Sequence, residues 1–217
     1  MVHPHIFAGG AEKAVVYLGQ NLRRMGHEVS IATLSTDHSK IPFASRDVDY
    51  IKPEIEVLPS NDGTLSDTAS MTIRELNGIQ GLLKNAWKNF DVCVPGNFPA
   101  YWSTYYLRSH MPIVWLCSEV LGPYGVTKDT YEKSCIFRNL FKAVIIIDKC
   151  AVEQGVHEIV ACSDFCRAMV KERYGRDAYV AYTGVDYNYF TQGMGQAKAK
   201  KKFGLDDSYV LLHVGFM

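Results

Sequence analysis

Short apolar runs alternate along the chain with longer segments whose apolar positions recur every three or four residues. The runs Val2–Phe7, Glu28–Leu34, Glu54–Leu58, Asp91–Pro95, Pro112–Cys117, Glu158–Cys162, Tyr179–Thr183 and Tyr209–Val214 predict strands. Most are continuous rather than alternating, which is the pattern of strands covered on both faces in a parallel sheet. Ala11–Met25 predicts a helix, with Ala14, Val15, Leu18, Leu22 and Met25 on one stripe. Glu12 near its start and Arg23-Arg24 near its end suit the helix dipole, and Gly26 supplies a left-handed stop. Tyr131–Gln154 contains Val144-Ile145-Ile146-Ile147, a strand-like run. The wider set Phe137, Leu140, Phe141, Val144, Ile147 and Ala151 keeps helical spacing throughout, so helix prevails. Asp164–Tyr174 and Gln196–Phe203 predict two more helices, while Ser35–Lys52 and Ser60–Ser70 predict loops. Strand-helix-strand repetition of this kind gives an α/β domain with a doubly wound, mostly parallel sheet.

The end of the chain departs from this rhythm. Tyr209–Val214 has the pattern of a buried strand, yet no crossover helix follows before Met217. The expectation is one domain over residues 1–208, with 209–217 as the first strand of a second domain that is otherwise missing.

Charge and composition narrow the classes. Twenty-three Lys and Arg balance 23 Asp and Glu, so the concentrated positive excess of a general nucleic-acid binder is lacking. No apolar run approaches the ~18 residues of a membrane helix, and the N-terminus lacks the features of a secretory signal. Four of the six cysteines sit in apolar runs, where Cys acts as a small hydrophobe. No C-x-x-C occurs, and Cys162 and Cys166 have no matching Cys/His pair, so zinc is not expected. Reduced thiols and a cytoplasmic location follow from this usage.

The sharpest local feature is Ala8-Gly9-Gly10-Ala11-Glu12, between the first strand and the first helix. Paired glycines let backbone approach a ligand, and the free amides of a helix start favour a phosphate or carboxylate. The same turn also serves a helix that merely packs on a sheet. It is not the dinucleotide fingerprint, since G-x-G-x-x-G is absent, although Asp37 could imitate the ribose-binding acid. Other strand ends on this side carry Asn97 after Gly96, Ser118-Glu119, Ser163-Asp164, and Gly184-Val185-Asp186. Ser163 suits a helix N-cap, Asp186 suits a cap on a short turn, and Glu119 also suits an ordinary solvated carboxylate. Convergence of several such ends in one crevice is what points to a site. Phe98, Tyr101, Trp102, Tyr105 and Tyr106 fall on one helical face, which favours core packing over sugar stacking. His3 and His5 straddle Pro4 as strand-packing residues. Lys198, Lys200, Lys201 and Lys202 form a solvated face or a basic strip for an anionic lipid or diphosphate. Hydrolase and P-loop motifs are absent.

Gly9-Gly10-Ala11-Glu12, followed by the amphipathic helix and Met25-Gly26-His27-Glu28-Val29, resembles the opening of glycosyltransferase family 4. Asn97-Phe98-Pro99-Ala100 after a strand agrees with that family. Pro112 through Glu119 resembles its W-x-C-N-E-P variant, and Ser163 and Thr183-Gly184-Val185-Asp186 are similar to its serine and P-G-V-D signatures. The resemblance implies the Rossmann-like, acceptor-side N-terminal half of a retaining GT-B enzyme. Its donor would be a nucleotide sugar bound as substrate, with no cofactor and no metal. It implies that Gly9, Gly10 and Glu12 face the donor diphosphate and acceptor, that Asn97, Ser118 and Glu119 line the acceptor pocket, and that Gly184 and Asp186 form the hinge-side turn. The histidine many members carry near Ser118 is absent, and Thr183 replaces the signature proline, so no catalytic residue is assigned. The implied partners are a nucleotide sugar, a sugar or lipid-linked acceptor with peripheral membrane contact, and the missing C-terminal domain. Without that domain the chain would be catalytically silent. The alternatives are a non-catalytic fragment or subunit completed by a separate donor-binding chain, and an NAD(P)-dependent oxidoreductase.

Overall fold

A computed structural model describes residues 1–7, 9–37, 47–59, 65–124, 135–185, 187, 195–205 and 208–212. The described residues divide into two units, Met1–Thr183 and Gly184–Met217. In the first unit the strands are β1 (His5–Ile6), β2 (Ser30–Ala32), β3 (Ser35–Thr36), β4 (Asp49–Ile51), β5 (Val114–Cys117), β6 (Glu158–Ala161) and β7 (Tyr179–Val180). Its helices are α1 (Gly10–Arg24), α2 (Leu65–Ala86), α3 (Ala100–Ser103), α4 (Cys135–Gly155) and α5 (Asp164–Tyr174).

Among the described residues all pairings are parallel. β2 pairs with β4, β1 with β3, and β5 with β6, which in turn pairs with β7. Single parallel bridges join these pieces, from Val2 to Ala32 on one side and to Pro95 on the other, and from Cys93 to Ile113. Followed across the ladder, the chain segments run 49–51, 30–36, 2–6, 93–95, 113–117, 158–161 and 179–180. Strand order therefore reverses beside the first segment, which is the signature of a doubly wound sheet.

Side chains alternate between two cores. Ile31 and Ile6 pack with Val15, Val16 and Val48, whereas Val2, Ala32 and Leu34 join the larger core around Tyr101, Ile113 and Trp115. Leu116 packs on the smaller core while its neighbours Trp115 and Cys117 belong to the larger. Successive residues of a strand point to opposite faces, so both faces are covered, as the continuous apolar runs imply.

Several sequence expectations need correction. The predicted strand Glu54–Leu58 is not one; the strand lies at Asp49–Ile51, within a stretch expected to be loop, as does β3. Tyr50 and Ile51 are half-buried, whereas Ile55 is 84% exposed, so the apolar count at 54–58 misled. Helix α2 begins inside the expected loop 60–70. It buries Glu75, Ile79 and Leu83, one residue in four, beneath a surface too polar to show a stripe. In α1 the buried side is Val15, Val16, Gly19 and Gln20, while Leu18 and Met25 are exposed. Gly26 does take φ +94°, where L residues are strained.

The aromatic run packs as expected. Tyr101 is 1% exposed with its ring tilted against Trp115, the centroids 4.6 Å apart, and Phe98, Trp102 and Tyr106 lean on the same core. In the second unit, α6 (Gln196–Lys202) carries the lysine cluster, and Tyr209–Leu212 are exposed without strand pairing. Residues 213–217 lie outside the described residues, as do Ala8 and Asp186.

Candidate functional site

The reversal of strand order places a crevice beyond the carboxyl ends of the first segment and of residues 93–95. Gly9 is the N-cap of α1, extended at φ −71° and ψ 167°, and the Lys13 N–H donates to its carbonyl at 3.2 Å. Gly10 opens the helix and is exposed, with nothing within 4 Å of where a Cβ would stand. The first helical amides have no partner inside the helix. Glu12, at the third helical position, folds back over this tip: a Cβ on Gly9 would lie 2.0 Å from its Oε2. That is the position from which a capping-box glutamate reaches its N-cap.

Across the crevice, the Ser118 N–H donates to Asn97 Oδ1 at 3.1 Å and ties together the loops that follow residues 93–95 and β5. Cys117 Sγ lies 3.3 Å from the Glu119 carbonyl, and Cys162 Sγ donates to the Ser118 carbonyl at 3.2 Å. The Glu119 residue is exposed, yet enough protein surrounds its carboxyl to raise its pKa. The charge of Glu12 raises it further. His3 lies there too. Burial lowers its pKa, and the Glu12 carboxylate is the strongest of the opposing influences. Its Nδ1 donates to the His5 carbonyl at 2.7 Å, and a Cβ on Gly96 would come within 3.0 Å of its ring.

Thus Gly9, Gly10, Glu12, Asn97, Ser118 and Glu119 are gathered at one sheet edge. Sequence reasoning left out His3, taken for strand packing, and the steric demand at Gly96. The apposition of His3 with Glu12 is visible only in three dimensions. Gly184 opens the second unit, is exposed, and nothing within 4 Å requires a glycine there. Ser163 caps α5 by accepting from the Cys166 N–H at 3.1 Å.

His5 forms a second constellation nearby. Its Nε2 lies 2.8 Å from Glu75 Oε1 and its Nδ1 2.7 Å from Ser35 Oγ. A carboxylate only accepts, so Nε2 carries the proton and Nδ1 accepts from the hydroxyl. This is the order of a hydrolase triad, but Ser35 is fully buried and no substrate can reach it. The set braces β1, β3 and α2.

An open parallel α/β sheet with a helix tip and a polar loop at its switch point is the doubly wound class of fold. The family model for Glycosyltransferase Family 4 matches residues 8–189, most of the chain. The protein belongs to that family, and its sheet is the N-terminal Rossmann-like half of a GT-B glycosyltransferase. Among solved structures it is similar to a sucrose-phosphate synthase from Thermosynechococcus elongatus, at 14% identity and TM-score 0.48, covering 93% of this chain and 99% of that one. It is also similar to CalG4, the calicheamicin glycosyltransferase, at 16% identity and TM-score 0.46, covering 84% of this chain and 53% of that one. No curated protein matches the sequence. Among the described residues no helix is long and apolar enough to cross a membrane.

Proposed function

We propose that this chain is the acceptor-side domain of a retaining glycosyltransferase whose sugar comes from a nucleotide-sugar substrate held mainly by a second Rossmann-like domain. What supports this reading is that the α1 tip follows the first segment at the switch point, next to the Asn97–Ser118 hydrogen bond at the ends of residues 93–95 and β5, with Glu12 raising the pKa of Glu119.

The chemistry assigned to each group follows from its surroundings. The amides of the Gly9-Gly10 turn stabilise the charge that grows on the diphosphate as it leaves. A diphosphate reaching that tip displaces the Glu12 carboxylate, which then turns toward the acceptor. With Oδ1 engaged by Ser118, Asn97 offers its amide N–H groups to an acceptor hydroxyl. Glu119, whose pKa is raised by burial and by Glu12, accepts from such hydroxyls. The Gly184–Asp186 turn is assigned to the hinge side. No metal or cofactor enters this scheme. The acceptor is a free or lipid-linked saccharide, the latter met by peripheral membrane contact on the cytoplasmic side.

Two titrations test the proposal. By calorimetry, residues 1–217 show no micromolar affinity for uridine or guanosine diphosphate sugars, because in this proposal the donor is held mainly by the second domain. Micromolar binding would overturn the division of labour. In amide NMR spectra, added oligosaccharide shifts Ser118 and its neighbours in the 95–99 segment. Shifts confined to other regions would remove the acceptor assignment.

A further inference from the structure

Three thiols crowd the carboxyl edge of the sheet beside this crevice, and nothing in the transfer scheme uses them. Cys117 is the last residue of β5, Cys162 follows β6, and Cys166 lies in the first turn of α5. Cys117 Sγ and Cys166 Sγ are 3.5 Å apart, and both residues are buried. Cys162 is half-buried, and its Sγ is bonded to the Ser118 carbonyl. All three are free. A disulfide needs its sulfurs at about 2.0 Å, so an approach of roughly 1.5 Å by side-chain rotation closes the pair. We propose that Cys117 and Cys166 are an oxidisable pair that closes to a disulfide when a small hydroperoxide such as hydrogen peroxide enters the thiol cluster.

The two sulfurs have different roles. The Cys166 thiol is lowered to about 7, chiefly by its hydrogen bond with Cys117, while Cys117 is itself driven upward by that bond and by burial. Thiolate, the nucleophilic form, therefore resides on Cys166. Its sulfur attacks one peroxide oxygen, the O–O bond breaks, and the departing hydroxide takes a proton to leave as water. The Cys117 sulfur then attacks the resulting sulfenic acid. The S–O bond breaks, and hydroxide leaves with the Cys117 proton as a second water. Two thiols are oxidised by two electrons, and one peroxide is reduced to two waters.

The closure reaches the crevice. The Cys117 S–H donates to the Glu119 carbonyl at 3.3 Å, and the Cys166 sulfur lies 3.5 Å from the same Sγ. The disulfide removes that proton and with it the restraint on the Glu119 backbone. Bond formation itself does not depend on what the protein transfers, so this proposal stands or falls separately from the preceding one.

The test uses the full chain treated with hydrogen peroxide, alkylated with iodoacetamide and digested with trypsin. Cleavage after Arg108, Lys128, Lys149 and Arg167 puts Cys117 alone on peptide 109–128, and Cys150, Cys162 and Cys166 together on peptide 150–167. The expected product is a dithiothreitol-reversible link between these peptides whose fragment ions place the bond at Cys166. It persists in Cys162→Ser and disappears in Cys166→Ser. Full alkylation after peroxide, a bond confined to peptide 150–167, or a link assigned to Cys150 or Cys162 would overturn the proposal. The fragment assignment is made on the unsubstituted chain, so the result holds even if a variant fails to fold.

Discussion

Asp148 on α4 is fully buried, and the loop that carries Glu119 depends on it. Its Oδ1 accepts from Tyr101 Oη at 2.6 Å and Trp102 Nε1 at 2.9 Å, and its Oδ2 from Tyr174 Oη at 2.8 Å and Arg173 Nη2 at 3.3 Å. Arg173 in turn donates to the carbonyls of Val120 and Leu121. The carboxylate thus joins α3, α4, α5 and the loop after β5. In Asp148→Ala the hydroxyls of two buried tyrosines lose their acceptor, at about 1–3 kcal/mol each. Trp102 is half-buried and Arg173 is 22% exposed, so water relieves part of their loss. The expected destabilisation is about 3–5 kcal/mol, the range for breaking a buried pair. Asp148→Asn keeps a carbonyl for Tyr101 and Trp102 but gives up the oxygen that accepts from Tyr174 and the charge facing Arg173, which predicts about 1–3 kcal/mol. Urea unfolding followed by circular dichroism measures both, with the slope checked for constancy. A loss below about 1 kcal/mol for Asp148→Ala, or equal losses for both variants, would refute the hub.

Other outcomes follow from the same structure. His3 is buried with a lowered pKa, so the unfolded chain binds its proton first as pH falls. Stability is therefore present above about pH 6.5 and declines below it, and His3→Gln flattens that decline in urea midpoints taken between pH 7.5 and 5.5. Glu12→Gln removes the charge that ranks second to burial in raising Glu119. A carbon-13 titration should show the Glu119 pKa falling toward its ordinary value without reaching it. An unmoved pKa would mean that the two carboxylates do not face each other. Two glycines of α2 should respond oppositely to alanine. A Cβ on Gly78 meets Leu34 Cδ2 at 2.8 Å inside the core, and overpacking costs about 1–3 kcal/mol. A Cβ on Gly81 meets nothing within 4 Å, so Gly81→Ala gains about 0.5–1 kcal/mol of helix stability.

Much of the fold was legible because period and capping are local. Asp164–Tyr174 is bounded by Ser163, whose hydroxyl fits only an N-cap, and by Gly175 at φ +68°, so both ends follow from residue chemistry. The continuous runs at 113–117 and 158–161 became adjacent parallel strands because residues apolar on both faces need cover on both. Helix α2 was hidden because its buried side includes Glu75, a carboxylate that is stable there only through His5, seventy residues away. The strand at Asp49–Ile51 was hidden for a related reason: it is an edge strand whose partner, Ser30–Ala32, sets its register.

Local pattern by itself determined the class of architecture and the turn that opens α1, since hydrophobic spacing and glycine's freedom act over a few residues. Tertiary structure decided which groups share the crevice. Strand order places the first segment beside residues 93–95, and only this brings the Gly9-Gly10 turn, Glu12 and His3 opposite Asn97, Ser118 and Glu119. Pairing order is set by long-range burial on two faces, and one-dimensional spacing carries no record of it.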